Sequence, residues 1–306
     1  MRGDRGKANR AGRRHDRFMR SSEGTEALEM IASKQRATIR TALRLVAAVV
    51  ITLIFVFPMY WLFMISFKTP EEIYSFPPMW YPGQIHFANY AVLFRDGDAK
   101  TVWNSLVIAG SSTIIAMFLG TICAYSIARF KTGGEHLANW IISQRMIPPI
   151  AVVFPIFLLF VWLHLVDTYI GVIILYTAFN LPYVIWMMRG YILDIPKALE
   201  ESAMVDGCTR WQVIWKVVLP MCRAGLFATA IFTFVFAWND FLFALVLTRS
   251  EATTYTVQIT HFFGGQSNFW AKISAMSVLG TLPIFIAVAF MQRYLVRGIS
   301  LGAVKG

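Results

Sequence analysis

Carboxylates are scarce in this chain, so the places where they gather carry information. Glu200, Glu201 and Asp206 share the short stretch Leu199-Glu-Glu-Ser-Ala-Met-Val-Asp-Gly207, and Asp240 closes Trp238-Asn-Asp240. Neither group has a serine, cysteine or histidine spaced to act as a nucleophile with its base. His15, His86, His136, His164 and His261 are scattered, and Cys123, Cys208 and Cys222 match no zinc pattern. A G-x-x-x-x-G-K-[ST] phosphate loop is also missing. No catalytic residue, metal or cofactor is therefore expected. The chemistry left to paired acids beside a turn is contact, since they face a basic partner more favourably than an acidic lipid surface.

The elements that must present these acids can be read locally. Pro196 suits a first helical turn, Lys197 to Val205 is rich in helix formers, and Gly207 stands where a left-handed cap would stop the helix. Thr209 with Gln212 three residues on forms a capping-box pattern for a second helix. Trp211, Ile214, Trp215 and Val218 fall on one face of it, Gln212 and Lys216 are expected toward water, and Pro220 is expected to end it.

This polar insert interrupts an oily chain. Of 306 residues 57% are hydrophobic and only 15% charged, and mean hydropathy is +0.56, well outside the range of a soluble domain. Apolar runs at Leu45–Ile65, Leu106–Ile127, Pro148–Leu165, Tyr169–Met188, Gly225–Leu247 and Ile273–Met291 approach the ~20 residues a helix needs to cross a bilayer. The third is short and holds Pro148, Pro149 and Pro155, so it is expected to start earlier, near Trp140, or to bend.

The expected fold is all-α: a polytopic membrane protein of six spans, with a cytoplasmic helix-turn-helix between spans four and five. Residues 1–40 form a basic tail and 41–306 the membrane domain, which includes the loop 195–220. Twelve of the 28 Lys and Arg residues precede residue 45. Retention of basic segments in the cytoplasm places both termini, 128–147 and 189–224 on that side. The net charge of +11 is assigned to topology and anionic lipid rather than to nucleic acid. No Lys or Arg falls inside a predicted span after Arg44, which favours an uncharged solute.

Glu201, Ala203, Gly207, Val217, Leu219 and Pro220 keep the spacing E-A-A, three residues, G, nine residues, I, one residue, L-P. This resembles the EAA loop of binding-protein-dependent ABC importer permeases, with Ser202 for the second alanine and Val217 for isoleucine. Phe179-Asn-Leu-Pro-Tyr183, Trp238-Asn-Asp240 and Gly302-Ala-Val-Lys-Gly306 are similar to the carbohydrate-importer branch, relatives of the smaller maltose-transporter permease. The similarity covers roughly residues 40–306.

The resemblance implies a non-enzymatic subunit of the bacterial cytoplasmic membrane. It would work with a second homologous permease, two ATPase subunits that bind the ATP, and an extracytoplasmic solute-binding protein. Glu201, Ser202, Ala203, Asp206 and Gly207 would dock on an ATPase, while Leu219 and Pro220 set the exit toward span five. A sugar, disaccharide or polyol is the implied solute, with glycerol phosphate as an alternative. A secondary carrier is the rival class, disfavoured because no internal repeat or buried charge chain is evident.

Polar residues at membrane depth are candidates for the path: Asn180, Asn239, Asp240, Ser111 and Ser112. Asn and Ser also stitch helices together, and helix packing or gating is the stronger expectation for Asn239 and Asp240. Outer loops 67–101 and 249–272 are long enough to reach a binding protein, with a protruding turn at Gly264 and Gly265.

Overall fold

The structure, a computed structural model, describes the backbone of residues 39–263 and 269–302, and their side chains as far as Phe290 apart from Glu135. The tail through residue 38, the Gly264–Gly265 turn and residues 303–306 lie outside the described residues. The described residues are helices and their connections, as an all-α reading requires. The chain divides into two compact units, residues 1–61 and 62–306. The helix α1, Ile39–Ile65, begins in the first unit, where Phe57 stacks on Trp61 at 6.3 Å.

In the second unit, α2 (Pro70–Ile73) and α3 (Ala88–Arg95) precede the long α4 (Lys100–Phe130). After it come α5 (Gly134–Ser143), a 3-10 turn Gln144–Met146, α6 (Pro149–Trp162) and α7 (Tyr169–Leu193). The polar insert holds α8 (Lys197–Val205) and α9 (Arg210–Val213), then a π turn Ile214–Val218 and α10 (Leu219–Met221). The chain closes with α11 (Arg223–Trp238), α12 (Leu242–Leu247), α13 (Tyr255–His261) and α14 (Phe269–Gly302).

Among the described residues, four helices are long and apolar enough to cross a membrane, or six spans if two bent pairs each count as one. The bent pairs explain where the expected boundaries fail. Span three is two helices meeting at 92°, because Pro148 and Pro149 withdraw consecutive donors from the ladder and the residue before a proline avoids helical angles. The second pair bends by 83° between Met221 and Arg223, at the start of span five, whose helix stops at Trp238 and resumes as α12 after Asn239 to Phe241.

The centre of the unit is the α4–α7 pair, on which α11 packs. Gly120 makes the pair possible: a Cβ built there would lie 2.6 Å from Val184 Cγ1. Two buried apolar clusters form around it. One is at the Tyr169 end of α7, around Trp238, Phe243 and Met276, and the other is at the Leu193 end, around Met188, Ile192, Val213 and Val218. The polar insert therefore packs at the opposite end of α7 from the 249–256 connection.

Candidate functional site

The insert folds as its caps dictate. Gly207 takes φ +88°, which only glycine adopts freely. The Thr209 amide donates to Gln212 Oε1 at 2.8 Å, and the Gln212 amide donates to Thr209 Oγ1 at 3.4 Å, completing the capping box.

Beyond Val213 the expected helix is corrected. The π turn shifts the register, so Val213, Ile214 and Val218 are buried while Trp211 and Trp215 are exposed; Trp215 stacks on Phe118 at 6.4 Å. Pro220 does not end the helical path. The wider turn before it takes up the missing donor, and the path bends by 83° only between Met221 and Arg223.

The two adjacent glutamates have opposite fates. Glu200 is buried, and its Oε1 accepts from Arg129 Nε at 2.6 Å while its Oε2 accepts from the Tyr125 hydroxyl at 2.8 Å. Arg129 Nη2 also donates to the carbonyls of Ile192 and Ile195 at 2.8 and 2.9 Å. One guanidinium thus neutralises Glu200 and ties it to carbonyls at and just past the end of α7. Arg210 adds a second tie, its guanidinium 4.8 Å from the centroid of the Phe130 ring. This corrects the expectation that both acids face outward.

Glu201, Ser202, Asp206 and Gly207 are exposed, as are Met204 and Val205, and Ala203 is half-buried. Leu219 is half-buried and Pro220 exposed at the turn into α11. The helix is thus held in place through Glu200 while the carboxylates of Glu201 and Asp206 stay exposed.

Residues proposed from sequence for a path are spread apart. Ser112 is fully buried in α4; its hydroxyl donates to the Ala109 carbonyl, and its own carbonyl accepts from Thr177 Oγ1 at 3.5 Å, across to α7. Ser111 is half-buried beside it, and Asn180 is buried in α7. Asp240 Oδ1 accepts from the Tyr176 hydroxyl at 2.9 Å and from the amides of Phe243 and Ala244 at 3.2 and 3.3 Å, so it caps α12. Asn239 is exposed, donating to the Val235 carbonyl at 2.9 Å. Trp238 is buried and donates through Nε1 to the Gly280 carbonyl at 3.0 Å, joining α11 to α14.

At the other end of α7, Asp167 holds the 249–252 connection. Its carboxylate receives the amides of Arg249, Ser250, Glu251 and Ala252 at 2.9–3.2 Å and the Ser250 hydroxyl at 3.0 Å. Partial burial pushes this carboxyl upward, but the backbone donors outweigh it and bring the pKa down to about 2. Asn104 continues the clamp, donating to the carbonyls of Glu251 and Thr253 and accepting from the Tyr169 hydroxyl. Neither residue stands out in sequence, because its partners come from distant segments. Among the described residues no group of three or more His, Cys, Asp and Glu could hold a metal.

This arrangement of broken spans around a central helix pair, with an anchored polar insert at one end, is that of an ABC importer's membrane subunit. The fold matches a bacterial ABC transporter involved in import of the acidic polysaccharide alginate, with TM-score 0.72 at 22% identity over 84% of this chain and 96% of that one. Residues 116–301 match the model of the binding-protein-dependent transport system inner membrane component, and the chain belongs to that family. The diacetylchitobiose uptake permease DasC of Streptomyces coelicolor is 32% identical over 85% of this chain and 96% of its own. The sulfoquinovosyl glycerol transport permease SmoH of Agrobacterium fabrum is 33% identical over 86% and 94%. The chain is accordingly a multi-pass membrane permease rather than an enzyme.

Proposed function

We propose that this permease imports a sugar, disaccharide or polyol across the bacterial cytoplasmic membrane, using ATP hydrolysed by partner subunits. The observation that carries the coupling role is the split between Glu200, locked to Arg129 at 2.6 Å, and Glu201, left exposed on the same helix. A lever must be rigid toward its own domain and open toward its driver; α8 satisfies both conditions.

In this reading α8 sits in a surface cleft of an ATPase subunit, and closure of the ATPase pair pushes on α8. The Arg129–Glu200 tie passes that displacement to α4 and α7. The assembly contains a second permease, two ATPase subunits and an external binding protein, and both termini of this chain are cytoplasmic. A sugar cargo is supported by relatives whose names specify diacetylchitobiose and sulfoquinovosyl glycerol. Solute-dependent ATPase activity of the reconstituted complex, screened across sugars and polyols with the cognate binding protein, tests the reading. Stimulation by one of them names the cargo; an assembled, ATP-binding complex that responds to none contradicts a sugar cargo.

A further inference from the structure

Arg145 belongs by sequence to the polar connection 128–147, yet the structure brings it against the middle of α7. Its Nη1 donates to the Phe179 carbonyl at 3.1 Å, and its guanidinium lies 5.0 Å from the centroid of the Phe236 ring and 6.0 Å from that of Tyr183. Phe179 is about 15 Å along α7 from Tyr169 and about 21 Å from Leu193, taking about 1.5 Å per residue. The arginine thus lies level with the middle of α7, a helix long and apolar enough to span a membrane, which the basic-residue count along the sequence could not show.

Two further observations converge there. The turn carrying Arg145 runs into the 92° break of span three, and irregular backbone at membrane depth is tolerated only where protein buries it or a wet cavity adjoins it. Arg145 is exposed and lines a cavity of about 390 Å³ with Gln144, Phe179, Pro182 and apolar residues of α6, within the ~300–1,000 Å³ range of small-molecule sites. No acid lines it, and none of the ion pairs among the described residues includes Arg145.

We propose that Arg145 contacts the solute on the translocation path and selects for a sugar bearing a negative group, such as a carboxylate, sulfonate or phosphate. This deepens the importer reading and rests on it. A guanidinium offers five N–H donors. With one spent on Phe179, the fork can still meet an oxyanion in bidentate fashion. An uncompensated cation at this depth is costly, and an anionic solute supplies the missing charge while it passes. Ala178 also lines the cavity; Pro182 removes the donor its carbonyl would meet, leaving an acceptor for sugar hydroxyls.

The test uses the whole complex in proteoliposomes with its binding protein, comparing a neutral oligosaccharide with its uronate and sulfonated counterparts. Uptake of an anionic sugar is expected, with kcat/KM falling at least about tenfold in Arg145→Gln, the worth of one charge-assisted hydrogen bond, and partly recovering in Arg145→Lys. Uptake confined to neutral sugars, unchanged in Arg145→Gln, overturns the proposal while leaving the importer reading intact. So does dissociation of the second permease in Arg145→Gln, which would assign the charge to an acid of that partner. Silence toward every sugar, charged or neutral, instead contradicts the sugar cargo on which this proposal rests.

Discussion

Arg129 and Glu200, in contact at 2.6 Å with both side chains about 6% exposed, tie the end of one long helix to a short helix of the polar insert. Breaking such a buried pair leaves an uncompensated charge and costs about 3 kcal/mol or more. Arg129→Ala and Glu200→Ala should each lower the melting temperature of the purified permease and weaken the link between ATP hydrolysis and uptake. Arg129→Met combined with Glu200→Leu should recover melting temperature, because no charge is stranded. Single variants that melt like the parent would show that α8 is held by its apolar contacts alone.

Gly207 isolates backbone conformation from packing. No atom lies within 4 Å of a Cβ built there, and its φ is +88°. Gly207→Ala should therefore cost about 1–2 kcal/mol from the left-handed conformation alone, and Gly207→Asn less. Uptake per ATP hydrolysed should fall in that order of strain, while the amount of permease in the membrane stays near normal. Equal coupling in all three proteins would mean that the turn has no part in transmitting motion.

Much of this insert is legible in sequence, because its determinants are local: a proline at the start, a glycine at the turn, a Thr–Gln capping box. The fate of Glu200 is not, since nothing in Leu199-Glu-Glu reveals that Arg129, 71 positions earlier, will reach the first glutamate and leave the second. Arg145 illustrates the same limit. Its depth depends on a break at Pro148 and on which helix the chain meets there, whereas hydropathy along the sequence assigns it to a polar connection. Asp240 is recognisable as unusual among apolar neighbours, but only its three hydrogen bonds show it capping α12.

Close approach of α4 and α7 gives a packing test. In Gly120→Ala the new methyl must displace Val184, whose branched side chain has few rotamers to retreat into, at a cost of about 1–3 kcal/mol. Val184→Ala in the same protein should remove most of that loss. A double-mutant cycle on melting temperature measures the coupling; additive effects would contradict the contact.

Asp167 gives a pH dependence of known sign. Its folded pKa of about 2 lies below the ~3.9 of an unfolded aspartate. Its contribution to stability is thus fully present above about pH 4 and is lost as pH falls through about 2. Protease cleavage within the 249–256 connection should be faster in Asp167→Asn than in the parent at neutral pH, with the gap closing between pH 4 and pH 2. Pepsin, which is active in acid, reads the gap directly between about pH 4 and pH 2. A gap that persists unchanged at pH 2 would contradict the assignment.

The central claim is that α8, anchored through Glu200, presents its free side to an ATPase subunit, and a contact at Ser202 tests it most directly. Ser202 is exposed and follows Glu201 in the chain. A photoreactive residue placed there, in the full complex within native membranes, should crosslink to the ATPase subunit, and Glu201→Arg should reduce the yield. Crosslinking only to lipid or within the permease itself, in a complex that still hydrolyses ATP, would contradict the claim.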